Sequence, residues 1–505
     1  MTEQSLIHLS GNNQVTVFLN GKKPFLYQSI RNFKGDYNSY FNSVNQCLSN
    51  LNEVSIKIVS IVTDNLRAQV KALDHRDQNS IMKLSESTYI KNIIRVPCQC
   101  HVLNLAMKDF FSIESNSHVI PLSIRIVKIF HKKIIKRALQ SVSPSFISTR
   151  WKNLFEIFNW VLIHRQRICT IVTTSNRLIQ EIIQEYKDDM CEFLFGVLPD
   201  YYLLVHHYSM LIDIMENDSC LACYCPMIYS SFFSSLEETS KRVLSNNPSQ
   251  LATEIISCIK NRIQNTGNLD LLYFISSFTI QGRDYIRKNF NFGCDLKDDD
   301  IETNVQYTLF SISESNEKKI INFVSIDLQE LIELSQMIDS RHVNDDDESI
   351  FIDNQQSEND YSDDVYEDDP IENVDEEEFV QESINDFNIF EFGNSFLLDY
   401  YYNEGKSKLE TSKIIDSYVN WIIKPIQDIN PIISSINDDH DLWPLMSFRS
   451  DYGELSKIGK FLLLVPSSEA SVERFFSHQR NAIKFHRYKT SKKLEEARMY
   501  HVSIE

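Results

Sequence analysis

P-S-S-E-A-S-V-E-R-F-F-S, residues Pro466 to Ser477, opens a helix, and the reading of the whole chain turns on it. Pro466 suits an entry point, and Ser467 or Ser468 supplies an N-cap hydroxyl for the free amides of the first turn. Glu469 and Glu473 fall in the early turns, where the helix dipole favours carboxylates. Glu473 and Arg474 are followed directly by Phe475 and Phe476, a charged pair against an aromatic wedge. An ordinary amphipathic helix with a capping serine carries the same twelve residues equally well. The rest of the chain has to separate the two readings.

At 505 residues the chain exceeds one compact core, and its length corresponds to two to four domains. The net charge of -20 is not spread evenly. Between Asp345 and Glu391 stand 20 acidic residues and no Lys or Arg, and the remainder balances at 50 acidic against 50 basic. The global charge therefore does not exclude a polyanionic partner. Ten cysteines at irregular spacing, without a secretory leader pattern, point to a reducing compartment. No run of 18 apolar residues exists, so no membrane span is expected.

The N-terminal third alternates strand and helix signals. Val15–Leu19 and Pro24–Ile30 are strand segments joined through Asn20-Gly21, a strong hairpin signal. Tyr37–Leu51 is helical by spacing. Val54–Val62 is a near-continuous apolar run, expected of a strand buried on both faces. Asn65–Leu73 is helical, Ile93–Val96 is a further buried strand stopped by Pro97, and His101–Phe111 is a helix. From Val119 to Arg341 the pattern is mainly helical, with Leu154, Ile157, Phe158, Val161 and Leu162 on one face of a helix starting near Lys152. Further amphipathic stretches are expected at Leu178–Tyr186, Cys191–Val197, Tyr201–Met215, Ser249–Ile263 and Ile326–Met337. The acidic segment has no periodicity and reads as disordered or a solvated linker. Helical signal returns at Leu409–Ile429, Tyr452–Leu464, Ser468–Ala482 and Lys492–Ser503.

Asp64 stands just past the central strand in I-V-T-D-N-L. Side chains at the carboxyl ends of strands form the crevice of an open α/β sheet, so a carboxylate there is placed to hold a metal. It also suits the N-cap of the helix beginning at Asn65. Thirty-odd residues on comes C-Q-C-H-V-L-N-L-A, with Cys98, Cys100, His101 and Asn104. A structural zinc draws four ligands, mostly from two separated pairs. The nearest other group, Cys220, Cys223 and Cys225, falls in the helical region, so Cys98 and His101 read as packing of a strand-to-helix turn. Between Ser115 and Phe155 lie eight basic residues and no acidic one: Arg125, Lys128, Lys132, Lys133, Lys136, Arg137, Arg150 and Lys152. Ile124, Val127, Phe130, Ile134 and Ile135 run between them at helical spacing, making a basic face that leads to Trp151. Such a face suits a duplex backbone, which carries one charge per about 1.7 Å. Solvated helix surface is the plainer reading of the same run. A second basic run spans Arg480, Lys484, Arg487, Lys489, Lys492 and Lys493.

Taken together, Ser467, Ser468, Ser471, Glu473, Arg474, Phe476 and Ser477 resemble the S-S-x-x-S-x-E-R-x-F-S signature near the C-terminal end of hAT-family transposases. The T-D-N at Asp64 and the C-x-x-H-x-L-N-L of Cys98, His101, Leu103, Asn104 and Leu105 resemble two further motifs of that family. The resemblance covers roughly residues 10–160 and 440–505. It implies an RNase H-like fold, with which the order of elements above agrees, and a metal site shared by Asp64 and Glu473. It implies that Arg150-Trp151 opens the helical insertion, with the indole stacking on DNA bases. It also implies dimerisation through the C-terminal helices, where Leu462, Leu463, Leu464, Phe475 and Phe476 form an apolar surface. The family uses three carboxylates to hold two Mg²⁺ ions, and the first stands on the first strand. Here the only acidic residue before Val15 is Glu3, with Ser10 or Asn12 where the aspartate is wanted, in Leu6-Ile-His-Leu-Ser-Gly-Asn-Asn. No Cys/His pair of the BED-type finger that family members carry precedes Asp64.

The fold class expected is therefore α/β plus all-α: an RNase H-like mixed-sheet domain interrupted by a large helical insertion and closed by C-terminal helices. The expected divisions are 1–115, 116–341 (helical insertion), 342–395 (acidic segment), 396–441 (helical return) and 442–505 (dimerisation region). Two functions compete. One is a DNA-binding, self-associating transposase-like protein of Mg-dependent ancestry, impaired as an enzyme. The other is a non-enzymatic DNA- or protein-binding scaffold. DNA and a second copy of the chain are the expected partners, with no membrane and no small-molecule substrate. The expected location is the nucleus; Lys132, Lys133, Lys136 and Arg137 make a basic patch of the import type, a pattern common by chance.

Overall fold

A computed structural model describes residues 5–9, 14–20, 24–31, 42, 44–46, 49–51, 53, 58–63, 94–146, 151–172, 176–217, 220–240, 248–266, 268–289, 389–403, 405–424, 426–429 and 439–470. Asp64, Arg150, Glu473, Phe475, Phe476, the second basic run and nearly all of the acidic segment lie outside them. So do the expected helices Asn65–Leu73, Ile326–Met337 and Lys492–Ser503.

Five strands are described: β1 (Ser5–Leu9), β2 (Gln14–Asn20), β3 (Pro24–Arg31), β4 (Ile58–Thr63) and β5 (Ile94–Pro97). β2 and β3 form an antiparallel ribbon with Asn20 opposite Pro24, as the Asn20-Gly21 signal predicts. β1, β4 and β5 form a parallel sheet in the order β1-β4-β5. Leu9 pairs with Thr63, and Thr63 with Pro97, so all three strands end at one edge. Ile61 and Val62 are neighbours on β4 and both are fully buried. Successive side chains on a strand point to opposite faces, so β4 is covered on both sides. A strand therefore stands at Ser5–Leu9, where the sequence suggests only a remnant of one.

Helices dominate the described residues beyond β5. α1 (Gln99–Ser112) leaves β5 directly, and its buried face is Val102, Leu103, Ala106, Met107, Phe110 and Phe111. α2 (Val119–His131) and α3 (Lys133–Leu139) are broken by Lys132, whose ψ of 128° leaves the helical region. α4 (Lys152–Ile163) buries Leu154, Ile157, Phe158 and Val161, the face expected of it. Next come α5 (Arg165–Val172) and α6 (Arg177–Glu185), and the Asn176 side chain caps α6 by accepting from Leu178 and Ile179 N–H. α7 (Lys187–Glu192) passes through a π-helical segment, Phe193–Val197, into α8 (Leu198–Met215). α9 (Cys225–Ser240), α10 (Pro248–Asn265), α11 (Leu269–Ser276) and α12 (Ile280–Asn289) complete the helical insertion as far as it is described. α13 (Ile389–Asn403) begins inside the segment 342–395 expected as disordered or linker, which corrects that boundary; α14 (Lys408–Ile423), α15 (Ile426–Ile429), α16 (Asp439–Met446) and α17 (Gly453–Leu462) follow. α14 starts with a full capping box between Ser407 and Glu410.

One continuous apolar core runs from Val62 and Val96 through the insertion to Val465. The chain is therefore a mixed α/β plus helical protein in which strands and helices share that core. The returning helices dock on α11 and α12 through polar anchors. Trp421 and Trp443 indole N–H groups donate to the carbonyls of Ser277 and Phe278, each at 2.7 Å. Arg283 is buried on α12 and donates to the Trp421 and Lys424 carbonyls at the C-terminus of α14. α17 meets α16 at Gly459, where a Cβ would lie 2.3 Å from the Trp443 ring, so only glycine allows that approach. Among the described residues no helix is long and apolar enough to cross a membrane.

Candidate functional site

β4 and β5 end where α1 begins, and a third segment closes on that edge. Cys98 occupies the N-cap position of α1 with an extended backbone. Its N–H donates to the Thr63 carbonyl at 2.8 Å, tying the end of β4 to the start of α1. Its Sγ accepts the Glu469 N–H at 3.5 Å. Gln99 N–H donates to the Ser467 carbonyl at 2.9 Å. One of the unsatisfied amides of the first turn of α1 is thereby paired by the signature stretch rather than by a cap of its own.

The other side of that stretch is bound to the insertion. Pro466 bridges Leu221 in antiparallel fashion, Ala222 N–H donates to Val465 carbonyl at 2.7 Å, and Ser467 N–H donates to Cys220 carbonyl at 3.1 Å. The Ser467 hydroxyl lies 3.0 Å from the Met215 carbonyl and 3.1 Å from that of Cys220. The Ser468 hydroxyl donates to Met215 carbonyl at 2.9 Å and accepts from Ala470 N–H at 3.4 Å. Met215 ends α8, so the two serines satisfy a helix C-terminus. Segments lying 247 and 371 residues apart in sequence thus meet at one latch.

The cysteines that spacing leaves in two remote groups are buried together here. Cys98 hydrogen-bonds to Cys100 and Cys225 to Cys220, and Cys220 adds a small upward push on the Cys100 thiol. The hydrogen bond from Cys98 favours a Cys100 thiolate, but burial and the Glu216 carboxylate outweigh it and push the thiol up. Burial drives Cys223 and Cys225 well up. Cys220 moves the other way: hydrogen bonds from Cys225 and Ser467 overcome its burial. Mostly neutral thiols of this kind are packing groups. Among the described residues no three His, Cys, Asp or Glu side chains are disposed to hold a metal ion.

Asp64 and Glu473 lie outside the described residues. Their described chain neighbours, Thr63 and Glu469, both contact Cys98. Glu469 reads in the sequence as a residue of an early helical turn, but it is 2% exposed at this edge. No local spacing signals that burial, because Cys98 and Met215 create it from distant parts of the chain. Asn104 Oδ1 accepts the Tyr208 hydroxyl at 3.1 Å, which fits the motif to a packing role.

Two expectations need correction. Trp151 is 9% exposed, stacked on Phe111 at 5.2 Å and edge-on to Phe146 at 5.9 Å. The ring face assigned to a DNA base is occupied by Phe111, so Trp151 anchors α4 in the core. Leu462 and Leu463 are buried inside the chain's own core and are not available as a dimer surface. The basic face is also smaller than its sequence. Arg125 is held by both oxygens of Asp189 at 2.9 and 3.0 Å, Lys132 lies 3.6 Å from Glu185, and Lys152 pairs with Asp213. Lys128, Lys133, Lys136 and Arg137 are exposed.

No protein-family model matches the chain, and no curated protein matches it.

Proposed function

We propose that this chain is an hAT transposase-like protein with an RNase H-like scaffold, which binds DNA and self-associates in the nucleus without cutting DNA. One observation carries the reading: Thr63 and Glu469, neighbours of the two motif carboxylates, bind the same residue, Cys98. Asp64 is one residue, about 3.8 Å of chain, beyond Thr63, and Glu473 is four residues beyond Glu469 in sequence. The parallel order β1-β4-β5 beside an antiparallel ribbon supports the scaffold.

The donor set does not fit a two-metal site. β1, the strand beside β4, reads Ser5-Leu-Ile-His-Leu9 and carries no carboxylate. Mg²⁺ gives up its water reluctantly without several anionic oxygens, so Asp64 and Glu473 alone leave the site short. No phosphoryl-transfer step is therefore assigned. DNA retention depends on exposed cations and does not need that site.

The test pairs a labelled duplex with Mn²⁺ or Mg²⁺ and purified protein. Salt-sensitive binding without nicking is expected, unchanged by Glu473→Ala. Nicking that disappears in Glu473→Ala overturns the impaired-enzyme reading. For the geometry, an Asp64→Cys, Glu473→Cys chain is expected to yield a 64–473 disulfide peptide under mild oxidation, and its persistent absence by mass spectrometry sinks the shared site. Light scattering at micromolar concentration tests self-association, and a monomer there refutes it.

A further inference from the structure

Two cations of the basic run, Arg125 and Lys132, are covered by an acidic strap from the same chain. α6 and α7 lie across α2, bringing Glu185, Tyr186 and Asp189 over its basic side. Asp189 grips Arg125 with two parallel bonds at 2.9 and 3.0 Å, the fork geometry that a phosphate also offers. Glu185 lies 3.6 Å from the Lys132 ammonium, which also sits 4.3 Å above the Tyr186 ring. The strap is thinly anchored: Ile179 and Ile183 are the buried residues of α6 and Met190 of α7, while Leu178 is 60% exposed. By contrast Lys133, Lys136 and Arg137 on α3, one helical turn apart, are exposed and have no ion-pair partner among the described residues.

We infer that α6–α7 is an internal phosphate mimic that occupies Arg125 and Lys132, so that the resting protein meets a nucleic-acid backbone with Lys128 and the α3 cations. This rests on the DNA-binding reading above and adds to it which cations bind and what restrains the rest. Displacing Glu185 and Asp189 by phosphates exchanges like for like in charge, so the strap sets the affinity without blocking the face. The segment 345–391 is not required for this competition, because the masking carboxylates belong to the folded insertion.

The experiment is fluorescence anisotropy of a 30-base-pair duplex against salt, on the full chain and two variants. Glu185→Gln with Asp189→Asn frees two cations. It is expected to bind more tightly and to steepen the plot of log K against log salt by about 2, at roughly 0.9 per phosphate. Its advantage over the parent should then shrink about tenfold between roughly 50 and 200 mM salt. Lys133→Gln, Lys136→Gln, Arg137→Gln is expected to flatten the parent's slope by nearly 3 on the same constant. If the double variant folds poorly, Glu185→Gln alone touches only the longer contact and should steepen the slope by about 1. A parent that binds with a salt slope, and strap variants with the same affinity and slope, overturn the mask and leave DNA binding standing. No salt-dependent binding by any variant overturns both.

Discussion

Arg125 and Arg283 are both arginines bound to oxygen, and the contrast between their surroundings separates two halves of the molecule. Arg125 is half-exposed on α2 and meets Asp189 in water. Arg283 is fully buried on α12, lies 5.0 Å from the Trp421 ring, and donates to the carbonyls of Trp421 and Lys424 and to Asp284. Burial pushes its pKa down to about 10, with Asp284 opposing, so it stays charged at neutral pH. A buried charge with complete partners cannot lose one of them cheaply, whereas an exposed pair exchanges with water at little cost. The insertion's outer surface is therefore free to trade partners, and the block that receives the returning helices is not.

The largest break in this contrast is Arg283→Met. It strands two carbonyls at the end of α14 and leaves Asp284 with Arg287 but without its hydrogen-bonded arginine, and should cost about 3–5 kcal/mol in chemical denaturation. The next is a pH effect at His206. This ring lies between Phe155 and Tyr202, and its buried Nδ1 has no hydrogen-bond partner among the described residues. Burial first, then His207, lowers its pKa to about 4, with Asp213 opposing and the Lys152–Asp213 pair close by. The unfolded chain takes up its proton near pH 6.5 and the folded chain only near 4, so stability falls as pH drops through that window and is flat above it. The loss approaches about 3 kcal/mol by pH 4, and His206→Phe should flatten the profile there. If the profile keeps its slope, His206 is not the group responsible.

A smaller effect is expected at the latch. Ser467→Ala with Ser468→Ala leaves the Met215 carbonyl without either hydroxyl and should cost about 1–3 kcal/mol. It should also raise maleimide labelling of Cys98, Cys100, Cys220 and Cys225, and unchanged labelling would show that the serines do not hold the segment closed. The smallest stability effect is at the strap, where Glu185→Gln with Asp189→Asn should change unfolding by under about 1 kcal/mol. A large loss of stability there would place Arg125 with Arg283 and erase the contrast.

Periodicity and turn chemistry are legible because they are local. The Asn20-Gly21 ribbon, the apolar β4 and the buried face of α4 come from residues a few positions apart. Strand order is less legible, since β1 is a five-residue segment that only its neighbour β4 makes into a strand. Trp151 and Leu462 mislead for one reason: an aromatic or a leucine run shows an apolar surface but not what covers it, and here Phe111 and the chain's own core do. Likewise a run of cations does not reveal its counter-charges, which for Arg125 stand 64 residues away.

Residue type and short spacing were enough to place the β2–β3 ribbon, β4, β5, α1 and the buried face of α4, and to show the lack of a carboxylate on β1. Tertiary packing alone decided that Cys98, Met215, Cys220 and Ser467 share one latch, that Glu469 is buried, and which cations of the basic run stay exposed. Those outcomes depend on which distant groups satisfy a buried amide, carbonyl or charge, and that pairing is set by packing across hundreds of residues.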